Sequence, residues 1–446
     1  MASVRPFCAE NRFKDVTILQ SDIHDLLNFI KASPTPYHTV AVATKKLKEA
    51  GFTRLDLAST NWALTPSKGY YLPAFGSTLL AFVPGKDNGP LRITAAHTDF
   101  PCFRLKPRPD MKKEGYGLLN VEKYGGLMLR TWLDRPLSLA GKVVHRSEDV
   151  FSPAARLVNF SLPLLTIPSL AIHMDRDVND EGKLNPQTDM LPIATMGGDE
   201  LKENFFLAWL SEQLEISPQD ILSYELSAYP WEEGCVSGLR AEFVSSPRLD
   251  NLTSVCACLK GITAAAGAGC SGLRLAALFD NEEVGSTTKQ GAASTMLMQV
   301  MKRIYASLGR ENAELYADLA TGFMLSVDVA HALHPNFADK CDPSHKPVLG
   351  KGIALKQAAA QTYAGDAEAI AVVRGLCEAH DIPWQLFVNR NDIRGGSTLG
   401  SLASAMMPIR TMDIGIPLLA MHSARELMHS EDQLSLNNLL TAFMIS

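Results

Sequence analysis

The chain has 446 residues, 46% of them hydrophobic and 20% charged, with a formal net charge of −6. That is globular composition, long enough for roughly two or three domains. The mild negative charge argues against a nucleic-acid or anionic-membrane surface, and no apolar run reaches the roughly 18 residues that suggest a transmembrane helix.

The opening stretch "MASVRPFCAENRFKDVT" lacks the apolar centre and cleavage site of a secretory leader. The eight cysteines are scattered, with no CxxC pair. Reduced thiols in a cytoplasm are expected, rather than a disulfide framework or a thiolate zinc site. "DIHDLLNFIKASPTPYHTVAVATKKLKEAGF" (22–52) reads as two helices of apolar periodicity split at Pro34–Pro36. "LLAFVPG" and "LRITAAHTD" then read as strands.

The stretch 101–236 changes character. It carries many prolines, short apolar runs ("GLMLRTW", "LAGKVVH", "SLAIHM") and turn signals such as "NDEGK". It reads as a mostly β insertion, leaving 1–100 and 237–446 as the two parts of one α/β domain. From about 273, apolar runs ("LRLAALFD", "GFMLSVDVAHA", "WQLFVNRND", "TMDIGIPLLAMHSA") alternate with helical stretches ("AASTMLMQVMKRIYASL", "DAEAIAVVRGLCEAH"). That alternation implies a mainly parallel sheet flanked by helices.

Three motifs carry no chemistry. "GAGCSG" (267–272) has dinucleotide-fingerprint spacing, but it follows a helix and precedes a strand, the reverse of the required context. "GGSTLG" (395–400) has neither the lysine of a phosphate loop nor the frame of a nucleophile elbow. The methionine-rich "MLMQVM" suits core packing.

Acids and histidines collect where the apolar runs end: His97 and Asp99 after "ITAA", Asp250 in "SSPRLDN", Glu282 and Glu283 in "LFDNEE", Asp328 in "MLSVDVAHA", His422 in "LLAMHSA". In open α/β sheets, ligands bind beyond the carboxyl ends of the strands. Imidazole and carboxylate suit zinc and similar divalent ions. Two histidines and three carboxylates can hold two cations if one carboxylate bridges, and ions about 3.5–4 Å apart make hydroxide available at neutral pH. One glutamate of the adjacent pair is then free to move a proton. Each residue alone has a plainer reading: Asp99 and Asp250 as caps or turn residues, His422 as a satisfied core histidine, the glutamate pair as a solvated loop.

These motifs, above all "FDNEEVGS" and "SVDVAHALHPNFADKCDPSHKPVLGKG", with "AAHTD", "RLDN" and "AMHSARE", resemble the aspartyl aminopeptidase family of two-zinc exopeptidases. The resemblance runs through most of the chain. It implies a zinc metallo-aminopeptidase with two Zn2+ per subunit, Mn2+ or Co2+ being alternatives, acting on peptides in the cytoplasm. His97, Asp250, Glu283, Asp328 and His422 would be the metal ligands, with Asp250 bridging. Glu282 would be the general base, and Asp99 would orient the His97 ring. The family's inserted β domain builds dimers that assemble into a dodecamer, and a histidine of that domain reaches a neighbouring site. Here His173 in "IPSLAIHMDR" takes that position, with a buried strand histidine as the plain alternative.

Lys356 in "GIALKQ" stands where the family places a lysine, which would bind the side chain of an N-terminal Asp or Glu. The alternative is a solvated surface lysine. Two departures stand out. Phe100 replaces the usual small residue after "HTD", where a bulky ring would alter access, and "RGGSTLGS" has the bacterial form. The metal chemistry alone leaves open an aminopeptidase of other specificity, a deacylase, or a silent assembly protein.

Overall fold

A strand buried on both faces reads as a continuous apolar run, and the runs singled out above form the middle of one large sheet. The computed structural model describes residues 13–197, 201–393 and 395–446. The opening stretch 1–12, with its reading as no secretory leader, lies outside the described residues, as does Arg394 of the "RGGSTLGS" segment. The sheet has nine strands, in the order Thr53–Arg54, Tyr70–Ala74, Thr78–Val83, Arg274–Phe279, Arg92–His97, Phe323–Val327, Arg410–Gly415, Ile353–Gln357 and Trp384–Val388. Its central four strands are parallel to one another, and antiparallel neighbours flank them.

Side chains alternate between two cores, as the period of two requires. In Arg274–Phe279, Leu275, Ala277 and Phe279 face one core, and Ala276 and Leu278 the other. The first core packs under helices Phe13–Ala32, Pro36–Glu49, Leu249–Ala268, Ala367–Ala379 and Ser430–Ile445. The second packs under Met296–Ser307, Asn312–Thr321 and Leu399–Met406. Each fully buried leucine or phenylalanine contributes about 1.5–3 kcal/mol.

The two N-terminal helices meet at the expected proline turn, with Pro36 opening the second, where its missing N–H costs nothing. "GAGCSG" does close a helix: Gly269 takes a left-handed φ of 62° just past Ala268. Met296 and Met301 pack in the second core.

The region between His97 and residue 235 forms a second, six-stranded antiparallel sheet: Ala154–Asn159, Leu137–His145, Ile221–Pro230, Cys102–Lys113, Tyr116–Tyr124 and Ile193–Met196. It has its own core, centred on Phe103, Leu119, Leu139, Leu210 and Leu226. Helix Phe205–Leu214 covers one face. "SLAIHM" is not a strand: residues 172–174 form an exposed turn. "GLMLRTW" ends in a short 3-10 turn, Leu129–Trp132. A third sheet of five short strands, Cys235–Ser237, Phe243–Ser246, Glu426–His429, Pro417–Leu419 and Ala330–His331, borders the strand ends of the large one.

Candidate active site

The parallel strands Arg274–Phe279, Arg92–His97, Phe323–Val327 and Arg410–Gly415 point their carboxyl ends the same way. His97 closes its strand. Asp280 and Asp328 follow theirs directly, with Glu282 and Glu283 on a single tight turn just beyond. Asp250 stands at the kinked start of helix Leu249–Ala268, its own backbone extended (φ −78°, ψ 105°) ahead of the regular turns. His422 follows strand Pro417–Leu419 with a φ of 65°. All six, His97, Asp250, Glu282, Glu283, Asp328 and His422, line one cleft of about 460 Å³.

Two sets of donor atoms face each other there. His97 Nε2 is 3.4 Å from Asp250 Oδ1 and 3.5 Å from Asp328 Oδ1. His422 Nε2 is 3.3 Å from Asp250 Oδ2 and 3.4 Å from Glu283 Oε2. Asp250 therefore turns one oxygen to each imidazole. These are contacts rather than hydrogen bonds, and Asp250 Oδ1 and Glu283 Oε1 accept no hydrogen bond although fully buried. Orphaned buried carboxylate oxygens are costly.

The spacing has a direct explanation. Nitrogen and oxygen ligands about 2.0–2.2 Å from a tetrahedral ion stand about 3.3–3.6 Å from one another, the separation seen in both sets. His97, Asp250 and Glu283 also offer donor atoms all within 4.8 Å of one another; the shorter distances assign Glu283 to the His422 set. The residues present thus fit divalent cations.

The imidazoles are oriented for this role. His97 Nδ1 donates to the Asp99 carbonyl at 3.0 Å, and His422 Nδ1 to the Gly126 carbonyl at 3.1 Å. Carbonyls only accept, so each Nδ1 carries its proton there and each Nε2 is turned to the carboxylates. The Asp99 carboxylate lies farther from His97 Nδ1, at 3.5 Å. Its oxygens instead accept the backbone N–H groups of Glu282 and Glu283, each at 3.1 Å. The expectation that Asp99 orients the ring thus needs refinement: its backbone does, and its carboxylate fixes the acidic turn.

Electrostatics follow from crowding. Burial, then the neighbouring Asp328, Asp99 and Asp250, push Glu282 up to about 8 against the pull of His97. Burial and Asp250 hold Glu283 well above the ordinary carboxylate range. Asp250 is depressed: burial works against ionisation, but His422 and His97 outweigh it. By the protein's own groups, these acids cannot all be ionised together. Bound cations would reverse that.

Lys356 is buried, 2% exposed, rather than solvated. It lines the cleft with Nζ 3.7 Å from Asp328 Oδ2. Burial pulls its pKa down, yet Asp328 and Asp413 hold it raised. Phe100, expected to affect access, is turned into the core, 3% exposed, with Arg248 over its ring at 5.5 Å. His173 is exposed and does not line the cleft of its own chain.

Other residues at the site went unnoticed in the sequence. His331, Tyr363 and Phe387 line the cleft wall. Glu426 is buried and accepts the N–H groups of Asp250 (3.0 Å) and His422 (2.9 Å). "AMHSARE" contained Glu426, but nothing in the motif says that its carboxylate joins the nearby His422 backbone to that of the distant Asp250.

A parallel sheet with imidazoles and carboxylates gathered at its strand ends defines a class, the metal-dependent hydrolases. The family model described as aminopeptidase I zinc metalloprotease (M18) matches residues 29–444. A probable M18 family aminopeptidase 2 of Clostridium novyi is 44% identical over 416 residues, covering 92% of this chain and 95% of the relative. Another, of Pseudomonas entomophila, is 40% identical over 426 residues, covering 94% and 96%. Among solved structures, the cryo-EM structure of the Ape4 and Nbr1 complex matches with a TM-score of 0.91 at 36% identity, covering 96% of this chain and 86% of that one. The S. cerevisiae mApe1 dodecamer matches at 0.81 and 25%, covering 96% and 97%. The chain belongs to the M18 family: it is a metal-dependent aminopeptidase.

Proposed function

We propose that the cleft takes two zinc ions and hydrolyses the first peptide bond of peptides, with preference for an N-terminal Asp or Glu. The observation that carries the reading is Asp250, whose two carboxylate oxygens face separate imidazoles at 3.4 and 3.3 Å. His97 and Asp328 would hold one ion with Asp250, and His422 and Glu283 the other. Bound there, zinc supplies a Lewis acid for the carbonyl and lowers the pKa of water.

The chain's own residues do the rest. The carboxylate of Glu282 takes the proton of the attacking water. As the new C–O bond forms and the C–N bond breaks, Glu282 passes that proton to the leaving amine. Asp99 holds Glu282 in place through the Glu282 N–H. Lys356 offers a buried cation to an acidic side chain. Its contact with Asp328 supports the plainer role of balancing that acid as well.

The inserted β sheet would build a homo-oligomer of dimers, a dodecamer like that of the mApe1 neighbour. Exposed Val150 and Phe151 on this layer support such a partner. In the assembly, His173 of one subunit would reach the cleft of another and stabilise the developing oxyanion. Among the described residues no helix is long and apolar enough to cross a membrane. Free thiols at all seven described cysteines support a reducing cytoplasm.

Metal content per chain, measured alongside hydrolysis of a panel of aminoacyl amides and N-acyl amino acids, tests the reading. Two zinc ions and cleavage of acidic aminoacyl amides are expected. Faster cleavage of neutral or basic aminoacyl amides than of acidic ones would overturn the acidic preference, and a fully active chain holding a single metal ion would overturn the two-zinc reading.

A further inference from the structure

The acidic turn is held from outside its own domain. Tyr124 is the last residue of strand Tyr116–Tyr124, in the six-stranded sheet. It is 6% exposed, and its hydroxyl sits between the two segments that make the site. It donates to Asp99 Oδ2 at 2.6 Å and accepts from Asn281 Nδ2 at 2.9 Å. Asp99 in turn accepts the N–H groups of Glu282 and Glu283. Asn281 opens that turn with a left-handed φ of 64°. The Arg104 guanidinium lies 4.0 Å over the Tyr124 ring and keeps it in place.

The next two residues continue the contact. Gly125 (φ 75°) passes so close that an added Cβ would stand 3.1 Å from Glu283 Cβ and 3.2 Å from Glu283 Oε2. The carbonyl of Gly126 accepts from His422 Nδ1. One three-residue segment of the inserted layer thus touches Asp99, Asn281, Glu283 and His422.

We propose that Tyr124 is a positioning residue for the reaction: through Asp99 and Asn281 it fixes where the Glu282 carboxylate sits, and so ties the inserted layer to catalysis. This rests on the reading of Glu282 as the base. A hydroxyl that merely filled space would satisfy one acceptor. This one joins the acid beyond the strand end to the first residue of the turn. The local bonds of Asn281, its N–H to Asp280 Oδ1, its carbonyl from the Ser286 N–H and its side-chain oxygen from Thr288, hold the turn's own shape, and the Tyr124 hydroxyl is what ties it to Asp99 from the inserted layer.

Tyr124→Phe keeps the ring, its Arg104 contact and its burial, and removes only the hydroxyl. Its kcat should fall about 10-fold, the size expected for one hydrogen bond to a charged acceptor. KM should stay within about twofold, and the melting temperature within about 2 °C. Combined with Glu282→Gln, it should add no further loss, because both act on the same carboxylate. Wild-type kcat in a stable Tyr124→Phe protein would overturn the inference. So would a loss confined to KM or to melting temperature, or a full additional loss in the double variant. The reading beneath is tested separately: wild-type turnover by Glu282→Gln alone would remove the base, and this inference with it. Gly125→Ala serves as the second variant. It presses on Glu283 and should lower kcat as well, and unchanged kcat there would also count against the segment's role.

Discussion

In the cleft, ionisable groups are packed where water barely reaches: His97 is 1% exposed and Asp250 3%. On the loops and turns of the inserted layer the reverse holds, with Phe151 97% exposed, Val150 86% and Met174 74%. Ordinary folding places charge outside and apolar surface inside, so each region departs from it in its own direction. Each departure points to something that binds. Crowded, orphaned carboxylates match cations, and protruding apolar side chains match another protein surface. The comparison teaches that local unfavourability can be read for the type of partner it needs: charge for charge, apolar surface for apolar surface.

Four experiments would break or sharpen that contrast. The cleft side has the largest expected effect. Asp250→Ala removes the shared carboxylate, so both metals and activity should be lost by several orders of magnitude. Two tightly bound ions by elemental analysis of that variant would break the bridging assignment. Glu282→Gln should keep both metals and the assembly while turnover falls about 100- to 10,000-fold. Steady-state kinetics on metal-loaded protein checks it, and near wild-type rates would show that the turn carries no base.

The inserted sheet comes next. Replacing exposed apolar side chains, Val150→Glu with Phe151→Glu, should reduce the particle from a large oligomer to a small species by light scattering. Activity should drop by about 100-fold if the oxyanion contact of His173 comes from a neighbour. A fully active small species would separate the two regions entirely. The smallest effect concerns selectivity. Lys356→Met should lower the specificity constant for acidic N-termini by about 10- to 150-fold, equivalent to roughly 1.5–3 kcal/mol. Neutral substrates should be nearly unaffected. Equal losses on both would assign Lys356 to holding Asp328.

Much of this was legible in the chain itself, for a physical reason. Strands buried on both faces are apolar throughout, so the polar residue that ends each one stands out, as His97, Asp280 and Asp328 do. Strand Ile353–Gln357 was not picked out, because "GIALKQ" is short and contains a lysine. Its burial depends on Asp328 and Asp413, acids on other strands that no local pattern reveals. "SLAIHM" misled in the opposite direction. Its apolar spacing suits a strand, yet no neighbouring strand pairs with it, and Leu170, Ile172 and Met174 remain exposed. Tyr124 and Glu426 were invisible for a third reason. Their roles lie in contacts spanning long stretches of chain, and a tyrosine at a strand end carries no mark of where its hydroxyl arrives.

The scattering of the site along the chain has a consequence for when the enzyme becomes dangerous to its surroundings. His97 lies near the start of the α/β sheet and His422 near its end, with the whole six-stranded layer made between them. Bringing such distant segments together is entropically slow and happens late in folding. A growing chain that has not yet delivered strand Arg410–Gly415 and the turn after it lacks both one of the two neighbours of Phe323–Val327 and the second imidazole. Peptide-cutting ability therefore arrives only with the completed fold. A half-made copy of this protease is disarmed by its own topology.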